Sequence, residues 1–260
     1  MRTITFKGLF LTAVFMLLGS LAIQAADDDL ITKQITIKLD EAGTLPNKIA
    51  SSKKYLITNL KIVGEINGTD WDMIREMAGR NRRGDFTKGN LSVLDLSEAK
   101  IVEGGYDYYC SYYGSPKFTS NDVIGDCAFY GCSGLTSINL PASITEISSE
   151  AFEGCSGLTS IYVYAEKVPE MDSNVFEKCD AKKCTLYVPK GTYDDYWISE
   201  FGYFENIVEF DPTGIDKTTT STDVKEVARY SVNGQLLVAP TNGLNIVKYS
   251  DGSVKKVAVQ

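Results

Sequence analysis

The chain contains no histidine among its 260 residues. That absence removes Ser-His-Asp and Cys-His nucleophile arrangements and the usual metal constellations. No glycine-rich phosphate loop of either common type occurs. No cysteine precedes Cys110, which rules out a lipidated cysteine near the start, and no apolar run after Ile23 is long enough to span a bilayer. Positive charge is scarce as well: 26 Lys and Arg stand against 34 Asp and Glu, a formal charge of −8. This balance argues against nucleic acid, whose binding rests on neutralising phosphates. The cluster Arg80, Arg82, Arg83 reads as a solvated helix end. Together these absences predict a protein that is not an enzyme and that uses no metal and no cofactor.

Glycoside hydrolysis needs only carboxylates, so one enzymatic alternative stays open. Asp194 and Asp195 lie beside Tyr193, Tyr196 and Trp197, a combination compatible with sugar contact. Neighbouring residues seldom face one another across a substrate, and a lone acidic pair is usually a solvated surface.

What is present begins with an export signal. Arg2 and Lys7 precede an apolar run from Gly8 to Ile23, small residues follow at Ala25 and Ala26, and Asp27, Asp28 and Asp29 come next. The pattern predicts a signal peptide over 1–25 and a destination beyond the inner membrane: cell surface, medium or periplasm. Losing Arg2 and Lys7 deepens the formal charge from −8 to about −10.

A repeat organises the centre. Ala128-Phe129-Tyr130-Gly131-Cys132-Ser133-Gly134-Leu135-Thr136-Ser137-Ile138 returns, 23 residues on and with one substitution, as Ala151 to Ile161. A weaker copy opens at Val175-Phe176-Glu177-Lys178-Cys179, and Leu91 to Leu96 matches Leu135 to Leu140. In each copy the pattern Leu-x-x-Leu-x-Leu sends its apolar members to one side of a short strand and the intervening residues to the other. One unit cannot bury that apolar side, but stacked units can, at about 1.5–3 kcal/mol per large side chain. Phe129, Phe152 and Phe176 then form an internal ladder, as do Cys132, Cys155 and Cys179, beside Ile144 and Ile147. Repeat spacing favours core thiols over disulfides for these cysteines. It also leaves little room for reading Cys127/Cys132 and Cys179/Cys184 as zinc ligand pairs.

The segment from Ala128 to Pro141, and its echo from Ala151 to Ile161, resembles the BspA-like leucine-rich repeats, with their run AF-x-G-C-x-x-L-x-x-I-x-(L/I)-P. Leu186 to Gly191, followed by Tyr193, Tyr196, Trp197 and Phe201 to Val208, resembles that family's closing unit. The resemblance covers about residues 86–210. It implies a leucine-rich-repeat solenoid in an exported or surface-displayed bacterial protein, with adhesion to host proteins or other cells as the associated role.

The flanks differ. In 26–85, Gln34 to Leu39 and Leu56 to Val63 read as strands, and Thr69 or Asp70 reads as the cap of a helix carrying Trp71, Ile74, Met77 and Ala78 to about Gly79. This segment is expected to form a mixed cap on the first repeat. Asp211 to Asp223 reads as a linker. Residues 224–260 alternate between turns at Asn233-Gly234, Asn242-Gly243 and Asp251-Gly252. Their layout resembles the sorting domains of the type IX secretion route, departing at Leu244-Asn245, and implies the secretion machinery as a partner. The expected fold is therefore β-rich, α+β overall: a leucine-rich-repeat solenoid over 86–210, a mixed N-terminal cap and a C-terminal antiparallel β-module.

Two surfaces are candidates for recognition. Leu91 and Leu135 stand 44 residues apart instead of 23, and the extra chain, 104–114, holds Tyr106, Tyr108, Tyr109, Tyr112 and Tyr113. Tyrosines suit a recognition surface, or else these rings pack against the repeats. The second surface is the open strand face: Val93, Asp95, Ser137, Asn139, Ser160, Tyr162, Thr185 and Tyr187 by alternation. Asp95, Asn139, Tyr162 and Tyr187 are the side chains expected to make contact there. The expected function is non-enzymatic recognition of protein or glycan outside the inner membrane; the alternative is a structural component of the cell envelope.

Overall fold

The computed structural model describes residues 29–110, 114–212, 226–231, 235–249 and 254–259. The signal peptide of 1–25 and all of the linker except Asp211 and Pro212 lie outside them.

In chain order the elements are β1 (Ile35–Lys38), the short helix α1 (Leu45–Lys48), β2 (Asn59–Ile66), α2 (Gly68–Met77), β3 (Val93–Ile101), β4 (Gly104–Tyr109), β5 (Lys117–Thr119), β6 (Val123–Ile124), β7 (Ser137–Leu140), β8 (Glu146–Ile147), β9 (Ser160–Val163), β10 (Glu170–Met171), β11 (Thr185–Pro189), α3 (Tyr193–Trp197) and β12 (Asn206–Phe210). Seven strands form one parallel sheet in the order β1-β2-β3-β7-β9-β11-β12, and β6, β8 and β10 form a second, shorter parallel sheet. Register follows the repeat: Ile138 pairs with Ile161 and Ile161 with Leu186, so equivalent apolar residues stack coil on coil. Strand β3 pairs directly with β7, Val93 against Ser137, so the 44-residue interval is one coil with an excursion, the β4–β5 hairpin.

The first two strands of the sheet come from the segment expected to be a separate cap. Ile57-Thr58-Asn59-Leu60-Lys61-Ile62 places its residues as Leu91 to Leu96 does, and Leu60, Ile62, Leu94 and Leu96 are all buried. A hydroxyl at the second position ties the coils together. Thr58 donates to the Ile31 carbonyl, Ser92 to Thr58, Thr136 to Ser92 and Thr159 to Thr136, at 2.9–3.2 Å.

Helix α2 starts two to three residues earlier than expected. Asn67, not Thr69 or Asp70, is the N-cap, accepting from Thr69 N at 3.0 Å. Asp70 is buried and its carboxylate accepts from the backbone of Asn67, Gly43 and Leu45. At Gly68 a β-carbon would lie 1.9 Å from the Tyr106 carbonyl oxygen, so only glycine lets the hairpin close on the start of the helix.

The aromatic ladder runs through the interior. Ring centroids are 5.4 Å apart between Trp71 and Phe129, 5.1 Å between Phe129 and Phe152 and 5.3 Å between Phe152 and Phe176, and Phe204 closes edge-on at 4.8 Å. Backbone groups pair along it: Cys127 N donates to Ser149 O, Phe129 N to Ala151 O and Phe152 N to Val175 O. Where the ladder begins, the matching acceptors, Asp126 O and Ala128 O, receive no backbone donor from the preceding coil among the described residues. Side chains supply the protons instead. Tyr108 Oη donates to Asp126 O at 2.9 Å, and Trp71 Nε1 and Arg75 Nη1 donate to Ala128 O at 3.1 and 2.8 Å.

Residues 226–259 contribute β13 (Glu226–Ser231), β14 (Leu236–Leu237), β15 (Gly243–Tyr249) and β16 (Val254–Val259), an antiparallel sheet in the order β14-β13-β15-β16. Asn245, at the departure from the sorting-domain pattern, is buried. It bonds Thr241 through both its amide nitrogen and oxygen and accepts from Arg229 at 3.1 Å.

Among the described residues, Cys127, Cys132, Cys155, Cys179 and Cys184 are buried and form no disulfide. Cys155 Sγ donates to Phe129 O and Cys179 Sγ to Phe152 O. Burial pushes the Cys132 thiol up to about 11 and the Cys179 thiol to about 12, from an ordinary 9.0. An unfolded chain releases these protons from about pH 9, whereas the folded chain holds them to about pH 11–12. The unfolded state thus binds fewer protons in that window, and stability falls as pH rises through it. We expect the melting temperature to drop between pH 8 and pH 10.5 under reducing conditions, and to drop less in Cys132→Ala; equal drops would show that this thiol does not carry the effect.

Candidate functional site

Strand alternation leaves one row of side chains on the outer face of the seven-stranded sheet. Thr36, Lys61, Asp95, Asn139, Tyr162, Tyr187 and Val208 are in register, one from each strand. Asn59, Val93, Ser137, Ser160, Thr185 and Asn206 form the neighbouring row. At about 4.8 Å per strand the first row spans roughly 24 Å from Lys61 to Val208. Val93, Ser137, Asn139, Ser160, Tyr162, Thr185 and Tyr187 are all half-buried.

One end of the row is ionic. Asp95 is buried and takes Lys61 Nζ at 3.2 Å, with Ser97 donating from both its backbone and its hydroxyl. Burial raises the Asp95 pKa, but these hydrogen bonds outweigh burial and hold the carboxyl below its ordinary value. Lys61 also reaches Glu98 at 2.7 Å. Asp95 is therefore engaged within the chain, more a support of the face than a free contact. In the middle, Ser160 Oγ donates to Ser137 Oγ at 2.8 Å.

The other end is aromatic. Tyr162 and Tyr187 stack with centroids 4.2 Å apart and planes within 6°. Phe210 meets Tyr162 and Tyr164 edge-on, at 5.6 and 5.0 Å. Burial, then the neighbouring Tyr187, raises the Tyr162 pKa; burial, then Asp95, raises that of Tyr164. Both phenols thus stay protonated at neutral pH and can donate. Lys61, Tyr164 and Phe210 were not among the expected contacts. Lys61 was hidden because β2 read as part of a cap, although Ile57-Thr58-x-Leu60-x-Ile62 carries the repeat signal. Tyr164 and Phe210 lie at or beyond strand ends, where alternation gives no guidance.

The tyrosine-rich excursion divides. Tyr108 is 1% exposed, packs 6.2 Å from Trp71 and bonds Asp126 O, so it belongs to the core and cannot meet a partner. Tyr109 is half-buried between the Arg75 guanidinium, 4.8 Å from its ring, and Tyr130 at 5.9 Å. Tyr106 stands out at 73% exposure on β4. Tyr112 and Tyr113 lie outside the described residues. The basic cluster is likewise not a plain solvated helix end: Arg80 donates to Gly131 O and Gly84 O and covers the Phe86 ring, and Arg82 pairs with Asp107.

Asp194 and Asp195 are both exposed on α3. Adjacent on a helix, they diverge by roughly 100° about its axis and cannot flank one sugar ring. Among the described residues, no three His, Cys, Asp or Glu side chains gather to hold a metal ion, and no helix is long and apolar enough to cross a membrane.

Parallel strands stacked at the repeat period, over an interior ladder of Phe and Cys, define a leucine-rich-repeat architecture. Residues 106–212 match the family described as BspA type Leucine rich repeat region, in 6 copies. No curated protein matches the chain.

The two placements of tyrosine in the excursion predict opposite behaviour. Tyr108→Phe strips Asp126 O of its donor and should cost about 1–2 kcal/mol in urea unfolding. Tyr106→Ala should change stability by less than about 0.5 kcal/mol. Indistinguishable losses would contradict the end-capping role of Tyr108.

Proposed function

We propose that the protein is a non-enzymatic recognition protein, exported to the cell surface, medium or periplasm, whose open sheet face binds a protein or glycan in adhesion or host interaction. The observation that carries this reading is the in-register row from Lys61 to Tyr187. With the neighbouring row of Ser137, Ser160 and Thr185 it offers hydroxyl, amide and phenol groups on a rigid parallel sheet, so little ordering entropy is lost on binding. The BspA-type repeats support it, because repeat sheets present extended surfaces of this kind. The complete lack of histidine supports the non-enzymatic part. The sheet face ranks above the tyrosine excursion because Tyr108 and Tyr109 are engaged in packing, which leaves Tyr106 as the exposed ring among those described. The antiparallel module of residues 226–259 serves, in this reading, as the contact with secretion machinery.

The test is binding of the chain to immobilised extracellular-matrix proteins and to a glycan array. The double change Tyr162→Ala and Tyr187→Ala should weaken the bound ligand at least tenfold with the fold retained, and Tyr106→Ala should leave it unchanged. Undiminished binding by the double variant would remove the sheet face as the site.

A further inference from the structure

Helix α3 carries a second aromatic feature that the sheet face does not include. Tyr196 anchors the helix: it is fully buried and its hydroxyl donates to Ala165 O at 2.7 Å. The Glu209 carboxylate holds the entry to the helix by accepting from Gly191 N and Tyr193 N at 2.7 and 3.2 Å. On this fixed base, Tyr193 and Trp197, one helical turn apart, are 40% and 50% exposed. Their ring planes are parallel within 6°, and their centroids are 6.3 Å apart.

That separation decides what the pair presents. At 6.3 Å between centroids the two rings are too far apart for close face-to-face contact, so neither seals the other's face. The contrast with the sheet face is sharp, because Tyr162 and Tyr187 at 4.2 Å cover one another's faces. An open aromatic face carries the negative side of the ring quadrupole and attracts the weakly positive C–H groups on one side of a pyranose ring. The exposed carboxylates of Asp194 and Glu200 lie on and just after the same helix. They accept hydrogen bonds from sugar hydroxyls and repel anionic glycans.

We propose that Tyr193 and Trp197 form a binding platform for a neutral glycan chain, with Asp194 and Glu200 selecting against acidic sugars. The site is separate from the sheet face and binds without cleaving. A protein with both surfaces holds a partner at one and a polysaccharide at the other.

The test titrates the full chain with cellohexaose, maltohexaose and mannohexaose, and with oligogalacturonate as the anionic control, by calorimetry and by the emission of Trp197. At least one neutral hexasaccharide should bind saturably. Trp197→Ala and Tyr193→Ala should each weaken it at least tenfold, Trp197→Phe should retain most of the affinity, and Tyr106→Ala should bind as the parent does. Absence of binding by all three neutral sugars, preference for oligogalacturonate, or undiminished binding by Trp197→Ala would overturn the platform. Loss confined to the sheet-face variant would overturn it too, while leaving the sheet-face reading intact.

Discussion

Each coil of this protein can bury its apolar side and pair its backbone only against another coil. Everything else in the structure answers that constraint. Along the interior, Phe129, Phe152 and Phe176 stack while the backbone of each coil donates to the next. A buried carbonyl without a donor costs about 1–3 kcal/mol, so the row cannot simply stop. Where the row begins, Tyr108, Trp71 and Arg75 supply the protons that backbone amides supply further along, and the indole of Trp71 also extends the aromatic ladder by one ring. At the other end Phe204, Phe201 and Tyr203 close on Phe176. The ends are thus built from side chains, which explains why the terminal segments depart from the repeat in sequence.

The same constraint produces the surface. Parallel strands in register deliver one outward side chain per coil, and because alternation fixes direction, residues far apart in sequence line up. Lys61 and Tyr187 belong to one row although 126 positions separate them. The rigidity that buries the ladder therefore also holds the face in place.

Much of the interior could be read directly from the residues. The paired copies at Ala128 and Ala151 place Phe129, Cys132, Leu135 and Ile138 correctly, and each is fully buried together with its counterpart 23 residues on. The strand alternation that selects Asn139, Tyr162 and Tyr187 holds for the same reason. What could not be read depends on contacts across the chain. Tyr108 and Tyr106 differ by two positions in one tyrosine-rich stretch, yet one is core and the other exposed, because helix α2 and the first coil decide which ring is covered. Asn67 caps α2 where Thr69 and Asp70 are equally good caps by type; Asp70 is instead drawn to the backbone of Gly43 and Leu45. The first three strands of the sheet, β1, β2 and β3, precede the matched repeat region, since their coils carry the strand motif without the Phe and Cys of the ladder.

The account stands on the donation of protons from coil to coil and, where the ladder begins, from cap to repeat. Amide hydrogen exchange measured residue by residue reads this directly. The amides of Cys127, Phe129 and Phe152 and the indole N–H of Trp71 should exchange slowly and with a common protection, rising and falling together with denaturant. Rapid exchange of the Trp71 indole and the Phe129 amide, while the strand amides of Ile138 and Ile161 remain protected, would show that the ladder and its cap do not hold the coils together.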